Sequence, residues 1–391
     1  MSTPIYLDHA ATTPVAGPVR QIILEALENG WGNPSSMHVE GRRARAVVDR
    51  ARDRVAAALH RPSQEVVFCS GGSEADNLAV RGAVARPSAA ERPHLVVSAV
   101  EHDAVLATAR RLAADGLAEL SVVGCDATGW VDPEAVAAAV RPETALVSVM
   151  LANNEVGTVQ DVAGISALVH DRNPDTLVHS DAVQAFGKLP VRPETLGVDL
   201  LSLSAHKVYG PKGCGALWIR DGVVLGWQVS GGGHERGRRA GTENVPGVAG
   251  FGAAAELVEA EREEQMARLR LLSTRLIDLV CAGVDGVVVT GSREQRLATF
   301  ASFAFPDVPG EVLLTALDRA GVCASAGSAC SSGATLPSHT LAAMGLPAGL
   351  VAGALRCSLG RDTSAADVEL AGAAIVAAVA RARLFAPVRA G

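Results

Sequence analysis

The run Asp199-Leu-Leu-Ser-Leu-Ser-Ala-His-Lys-Val-Tyr-Gly-Pro-Lys-Gly213 sets the frame for the whole chain. Its first six residues form a short apolar stretch, and a Gly- and Pro-containing turn closes it. That length and punctuation favour a buried strand over a piece of helix. Upstream the plan repeats. Residues 65–69, 95–98, 145–150 and 176–179 are apolar runs with β-branched residues, each followed by polar residues or Gly. Between them lie helical patterns. In residues 43–59, Ala44, Val47, Val48, Ala51, Val55 and Leu59 recur at spacings of three and four, with Arg and Asp on the other face. Strand alternating with helix predicts an α/β fold with a mostly parallel sheet covered on both sides. In such sheets, ligands sit beyond the carboxyl ends of the strands, so the polar residues after each strand carry the functional reading.

Downstream the pattern changes. A charged helix over 256–279 bridges to strands over 286–290, 299–305 and 354–358 and helices over 311–320 and 364–381, with Ser364 as the N-cap of the last. This predicts a smaller α+β domain. The expected division is a large domain over 15–260 and a small one built from 1–14 and 261–391.

Composition narrows the function classes. With 391 residues, 48% of them hydrophobic and 20% charged, the chain has enough apolar material for a large core and a second domain. The net charge of −7 and the lack of any basic–aromatic stripe speak against direct nucleic-acid or membrane-surface binding. The start carries Asp8 and His9 with no apolar core, unlike a secretory signal, and no uncharged apolar run reaches 18 residues. A cytoplasmic protein is expected. The seven cysteines are scattered, odd in number and without a CxxC pair, so neither disulfides nor a metal site is expected.

Four strand ends suggest one chemistry. Lys207 stands at the mouth of an apolar strand, where a permanent ammonium is costly. It makes sense if the amine forms a Schiff base with an aldehyde cofactor; a solvated loop lysine is the plain alternative. Asp181, after the 176–179 strand, can pair with a pyridinium nitrogen. His102, after the 95–98 strand, can stack on a ring. Ser70-Gly-Gly-Ser-Glu-Ala-Asp-Asn77 opens a helix, and Gly72 and Ser73 at its N-terminus suit a phosphate. Each alone reads equally as a cap or a turn. Together they supply an aldehyde partner, a ring-nitrogen partner, a ring stack and a phosphate cradle.

Longer segments then carry a resemblance. Tyr6-Leu-Asp-His-Ala-Ala-Thr-Thr-Pro14, Gly32-Asn-Pro-Ser-Ser-Met-His38, Asn153-Asn-Glu-Val-Gly157, Ala205-His-Lys-Val-Tyr-Gly-Pro-Lys-Gly213 and Gly231-Gly-Gly-His-Glu-Arg-Gly-Arg-Arg-Ala-Gly-Thr-Glu-Asn244 resemble the cysteine desulfurases of the NifS/IscS-like group I. These belong to the class V aminotransferase branch of fold-type I pyridoxal 5'-phosphate (PLP) enzymes. The resemblance implies a large domain with a mostly parallel seven-stranded sheet plus a smaller α+β domain. It implies that Lys207 carries the cofactor, Asp181 pairs with the ring nitrogen and Gln184 bonds the phenolic oxygen. His102 would stack on the ring and move protons. Gly72, Ser73, Ser204 and His206 would hold the phosphate, and Thr242 would reach the phosphate of the other subunit of a homodimer. Asn154 and Arg356, with Asn33 nearby, would hold the substrate carboxylate; a guanidinium suits that grip.

Cys330 separates a desulfurase from a transaminase. It sits in Ser325-Ala-Gly-Ser-Ala-Cys-Ser-Ser-Gly333, a stretch of small residues with little to pack, read as a mobile loop. The resemblance implies that Cys330 attacks the sulfur of bound L-cysteine, becomes a persulfide and leaves L-alanine. The persulfide would pass to an acceptor protein: an iron–sulfur scaffold, a thiolation enzyme or a sulfur carrier. A selenocysteine lyase or another class V PLP enzyme is the competing reading. Cys323 and Cys357, in apparent strands, read as buried structural residues. Leu336 departs from the group I pattern, which often has an acidic residue there.

Overall fold

A computed structural model describes residues 4–86, 90–226, 228–327 and 337–384. Its strands are β1 (Ile5–Tyr6), β2 (Val66–Cys69), β3 (His94–Ser98), β4 (Glu119–Val123), β5 (Thr144–Ser148), β6 (Leu177–Asp181), β7 (Leu200–Ser204), β8 (Gly215–Ile219), β9 (Val288–Val289), β10 (Phe300–Ala304), β11 (Val322–Cys323) and β12 (Ala354–Ser358). Its helices are α1 (Gly17–Asn29), α2 (Val39–Leu59), α3 (Gly72–Val84), α4 (Asp103–Ala114), α5 (Pro133–Ala139), α6 (Val162–Arg172), α7 (Pro193–Leu196), α8 (Val245–Gly283), α9 (Gly310–Arg319), α10 (His339–Ala343), α11 (Ala348–Val351) and α12 (Ala365–Arg383).

The predicted sheet is present. Seven strands run in the order β2-β8-β7-β6-β5-β3-β4, parallel except β8, which is antiparallel to both of its neighbours. Strands β5, β6 and β7 are buried along their whole length, which explains their unbroken apolar reading. Apolar clusters fill both faces. One packs α2, α6 and the start of α8 against the sheet, and the other packs α3 and α4 on the opposite side.

A separate apolar cluster joins Leu7 to the end of α8, the β12-β10-β9 sheet, α9 and α12. The first residues of the chain therefore pack with its last third, through the parallel pair β1-β11. Helix α12 starts with a capping box in which the Ser364 side chain and Asp367 bond each other's backbone N–H. Among the described residues no helix is long and apolar enough to cross a membrane.

Three details differ from the sequence reading. The bridging helix begins at Val245, eleven residues before the predicted start, because its first turns are small apolar residues buried all round. Strands β1, β4 and β8 are additional. Cys357 is fully buried as expected, but Cys323 is only half-buried, at the end of the two-residue strand β11.

Candidate active site

The turn after β7 is shaped by its own backbone. Tyr209 has a left-handed φ of 65°, a conformation costly for a side chain with a ring. Thr13 holds it there: its Oγ1 accepts from Tyr209 N at 2.7 Å and donates to His206 O at 3.0 Å. The segment 10–13 thus clamps the turn that carries Lys207. The Lys207 Nζ donates to Ala10 O at 2.6 Å and Ala11 O at 2.7 Å, which fixes where the amine points.

Around that amine lies a cavity of about 260 Å³. Its wall includes Gly72, Ser73, His102, Asn154, Asp181, Gln184, Ser204, His206, Lys207 and Arg356. Most of these come from positions just after strands, as the fold rule requires. A larger hollow of about 560 Å³ lies between α1, α2 and α8, away from these residues.

Each wall residue is held in a particular way. Asp181, at the end of β6, accepts from Val183 N at 2.8 Å. Burial pushes its carboxyl up, while His102 and Lys207 pull it down. His102 is the N-cap of α4; its Nδ1 accepts from Ala104 N at 3.1 Å, so a neutral ring carries its proton on Nε2. His206 is pushed down to about 4 by burial and by the Lys207 charge, so it is neutral near pH 7. Gln184 Nε2 donates to Ala10 O at 2.9 Å, which aims Oε1 away from that carbonyl. Asn153 builds the loop that presents Asn154, donating to Val100 O and accepting from the backbone N–H of Glu155 and Val156. Arg356 donates to Asn154 O at 2.8 Å, Gly327 O at 3.2 Å and Asp8 Oδ1 at 2.7 Å.

Comparison with known proteins follows the same lines. Residues 5–370 match the family described as aminotransferase class-V. A cysteine desulfurase IscS of Dictyoglomus turgidum is 42% identical over 94% of this chain and 92% of its own length. A cysteine desulfurase of Bradyrhizobium diazoefficiens is 43% identical, covering 97% and 95%. The chain belongs to the cysteine desulfurase family. Among solved structures, a NifS-like protein superposes with a TM-score of 0.90 at 34% identity, over 97% of this chain and 100% of that one. SspA in complex with cysteine superposes with a TM-score of 0.80 at 33% identity, over 90% and 98%.

The family's cofactor is PLP, and the cavity fits it. Two buried polar atoms on its wall, Ser204 Oγ and Gln184 Oε1, have no partner among the described residues. Buried polar atoms left so are costly, and a phosphate and a phenolic hydroxyl would satisfy them. At the cradle, a Cβ on Gly72 would come within 2.9 Å of Val183 Cγ2, so only glycine gives this close approach.

Not every expected residue is on this wall. Asn33 is exposed in a turn, where its Oδ1 accepts from Ser35 N. Thr242 is exposed and lines a different hollow with Glu235 and Arg239. Cys330 and Leu336 lie outside the described residues. The sequence reading gave no role to Asp76, Met150, Ala10 or Ala11, which also line the cavity. Asp76 was findable: it is a carboxylate on the apolar face of α3, only 1% exposed.

Proposed function

We propose that this enzyme removes sulfur from L-cysteine, leaving L-alanine and a persulfide on Cys330 that an acceptor protein collects. The observation that carries the reading is the convergence of Lys207, Asp181, His102 and Arg356 on one cavity whose free polar atoms suit PLP. The family match supports the sulfur chemistry.

When bound, PLP supplies a ring that withdraws electrons from the amino-acid carbon. The chain supplies the rest. The Lys207 amine would hold the cofactor aldehyde, and the same amine is the base placed to take the proton from the substrate Cα. Asp181 keeps a proton on the ring nitrogen and so maintains the withdrawal. Gln184 would hydrogen-bond the phenolic oxygen. Gly72, Ser73, Ser204 and His206 hold the phosphate against the first turn of α3. Arg356 and Asn154 would grip the substrate carboxylate. His102 moves protons at the substrate thiol and at Cys330, a role of the kind that contributes on the order of 10²–10⁴-fold. Gly327, on the cavity wall, is three residues before Cys330 in the chain.

Thr242 is read as serving the phosphate of a second copy, which makes the working unit a homodimer. The setting is cytoplasmic, where thiols stay reduced, and the persulfide feeds iron–sulfur cluster assembly or thio-modification.

The test is incubation of the PLP-loaded enzyme with L-cysteine. The mass of the peptide containing Cys330 should rise by one sulfur while alanine accumulates. A Cys330→Ser variant should keep the absorbance of the bound cofactor but release no sulfide. Unchanged desulfuration by that variant, or turnover of selenocysteine alone, would overturn the reading.

A further inference from the structure

A line of buried side chains crosses the sheet from strand to strand, next to Asp181. Glu101 Oε1 accepts from Ser98 Oγ at 2.6 Å and from Met150 N at 2.7 Å. Its Oε2 lies 3.4 Å from Ser148 Oγ. Ser148 Oγ is 2.8 Å from His179 Nδ1, and His179 Nε2 is 2.9 Å from Ser202 Oγ. The Asp76 carboxyl stands beside this end of the line, its Oδ1 3.7 Å from His179 Nε2, and the nearby Ser202 hydroxyl holds its proton affinity down. Strand register makes the line: Ser148 faces His179 across β5 and β6, and Ser202 faces Asp181 across β6 and β7. Ser98, Glu101, Ser148, His179 and Ser202 are fully buried, and Asp76 is 1% exposed. Among the described residues Asp76 Oδ1 has no hydrogen-bond partner, and Asp76 lines the cavity.

We propose that Asp76 and Glu101 share one proton through Ser202, His179 and Ser148, and that this relay sets the negative charge beside Asp181. The inference rests on the reading of Asp181 as the ring-nitrogen partner. The donors and acceptors along the line allow two arrangements. In one direction Asp76 donates to Ser202, Ser202 to His179 Nε2, His179 Nδ1–H to Ser148, and Ser148 to an ionised Glu101. In the other, protonated Glu101 donates to Ser148, Ser148 to His179 Nδ1, His179 Nε2–H to Ser202, and Ser202 to an ionised Asp76. One proton satisfies every link either way; a second has no acceptor in the line. Passing between the two states moves one proton per link and switches the His179 tautomer, with no net gain or loss.

The surrounding charges make this matter. The groups facing the line are Asp181, His102 and Lys207, with the Cys69 thiol near Asp76 and His339 Nε2 on the Glu101 carbonyl oxygen at 2.9 Å. Like charges in a dry site resist ionising together. Burial pushes Glu101 up to about 8, and burial and Asp181 push Asp76 up as well. His179 is pushed down to about 3, so it passes protons as a neutral ring. With the charge on Asp76, Asp181 meets a near neighbour of its own sign and holds a ring-nitrogen proton more tightly. With the charge on Glu101, that effect relaxes.

Two measurements on the PLP-loaded enzyme test this: the pH at which the bound-cofactor absorbance changes, and the infrared C=O stretch of protonated buried carboxyl. Asp76→Asn and Glu101→Gln should each shift the absorbance transition by about one pH unit, a tenfold change in proton affinity. The double variant should depart from the sum of the two, and in a His179→Phe background the two shifts should add. In the infrared, either single variant should keep one protonated-carboxyl band, moved in frequency, and the double variant should lose it. Additive shifts, or two bands of which each variant removes one, would overturn the relay. The Asp76/Glu101 cycle decides the matter even if the His179 variant fails to fold. If the chain takes up no PLP at Lys207, the functional reading fails instead, and the infrared cycle on the unloaded chain still judges the relay.

Discussion

At the scale of single residues, Arg356 carries the proposed grip on the substrate carboxylate. Its side chain is buried, two carbonyls and Asp8 hold the NH1 and NH2 groups, and Nε has no partner among the described residues. A buried guanidinium with an open donor is ready for a carboxylate. Lysine would keep the charge but lose the fork. Arg356→Lys should therefore raise KM for L-cysteine by roughly 10- to 100-fold, the value of a charge-assisted hydrogen bond of about 1.5–3 kcal/mol. A rise in KM of less than threefold, from initial rates on the loaded enzyme, would remove Arg356 from the substrate grip. Asp181, Lys207 and His102 stood out in the sequence because each follows a strand with a clear apolar run, whereas Arg356 came from the resemblance alone. Asp76, in the segment that opens α3, and Glu101, next to His102, carry no role in the sequence reading. Their meaning depends on partners from other strands, Ser148, His179 and Ser202, which no local pattern brings together.

At the scale of elements, legibility followed exposure. Helix α2 was readable because one face is wet and the other dry; the first turns of α8 were not, because both faces are buried. Strand β4 is a half-exposed edge whose alternation is weak, and β8 is a short run after a turn that only its antiparallel pairing makes a strand. The contact between α2 and α8 depends on one missing side chain. A Cβ at Gly252 would sit 2.6 Å from Ala51 Cα, which is backbone and cannot swing away. Gly252→Ala gains about 1 kcal/mol of helix propensity but incurs overpacking of about 1–3 kcal/mol. The expected result is a net loss, read as a Tm lower by a few degrees. Gly349→Ala in α11, where a Cβ meets nothing within 4 Å, should leave Tm unchanged or slightly higher. Equal Tm values for the two variants would show that the helix crossing is not set by Gly252.

At the scale of the whole molecule, we propose that the sheet clusters and the cluster around β10 and β12 mark two domains divided near residue 260. The N-terminal segment ties them together, and His9 is its pin. His9 lies 4.9 Å from the Tyr6 ring and 6.2 Å from the Tyr209 ring, centroid to centroid. A Cβ on Gly360 would fall 2.1 Å from its Cε1. Burial pushes His9 down to about 4, with Asp362 opposing and Lys188 assisting. The unfolded chain therefore binds a proton at this residue below pH 6.5 that the native chain refuses until about pH 4. The stability tied to His9 is fully present above pH 6.5 and is lost as pH falls from 6.5 towards 4, at about 1.4 kcal/mol per pH unit. The residue is buried, so solvent screening takes little from this figure. His9→Asn removes the proton-binding difference and leaves every other titrating group in place. Between pH 7.5 and pH 5, the urea midpoint of the native sequence should fall further than that of the variant, by the equivalent of about 2 kcal/mol. If both proteins lose the same stability over that interval, the ring of His9 can take up its proton in the folded state, and the segment 4–14 is not the rigid tie between the two cores.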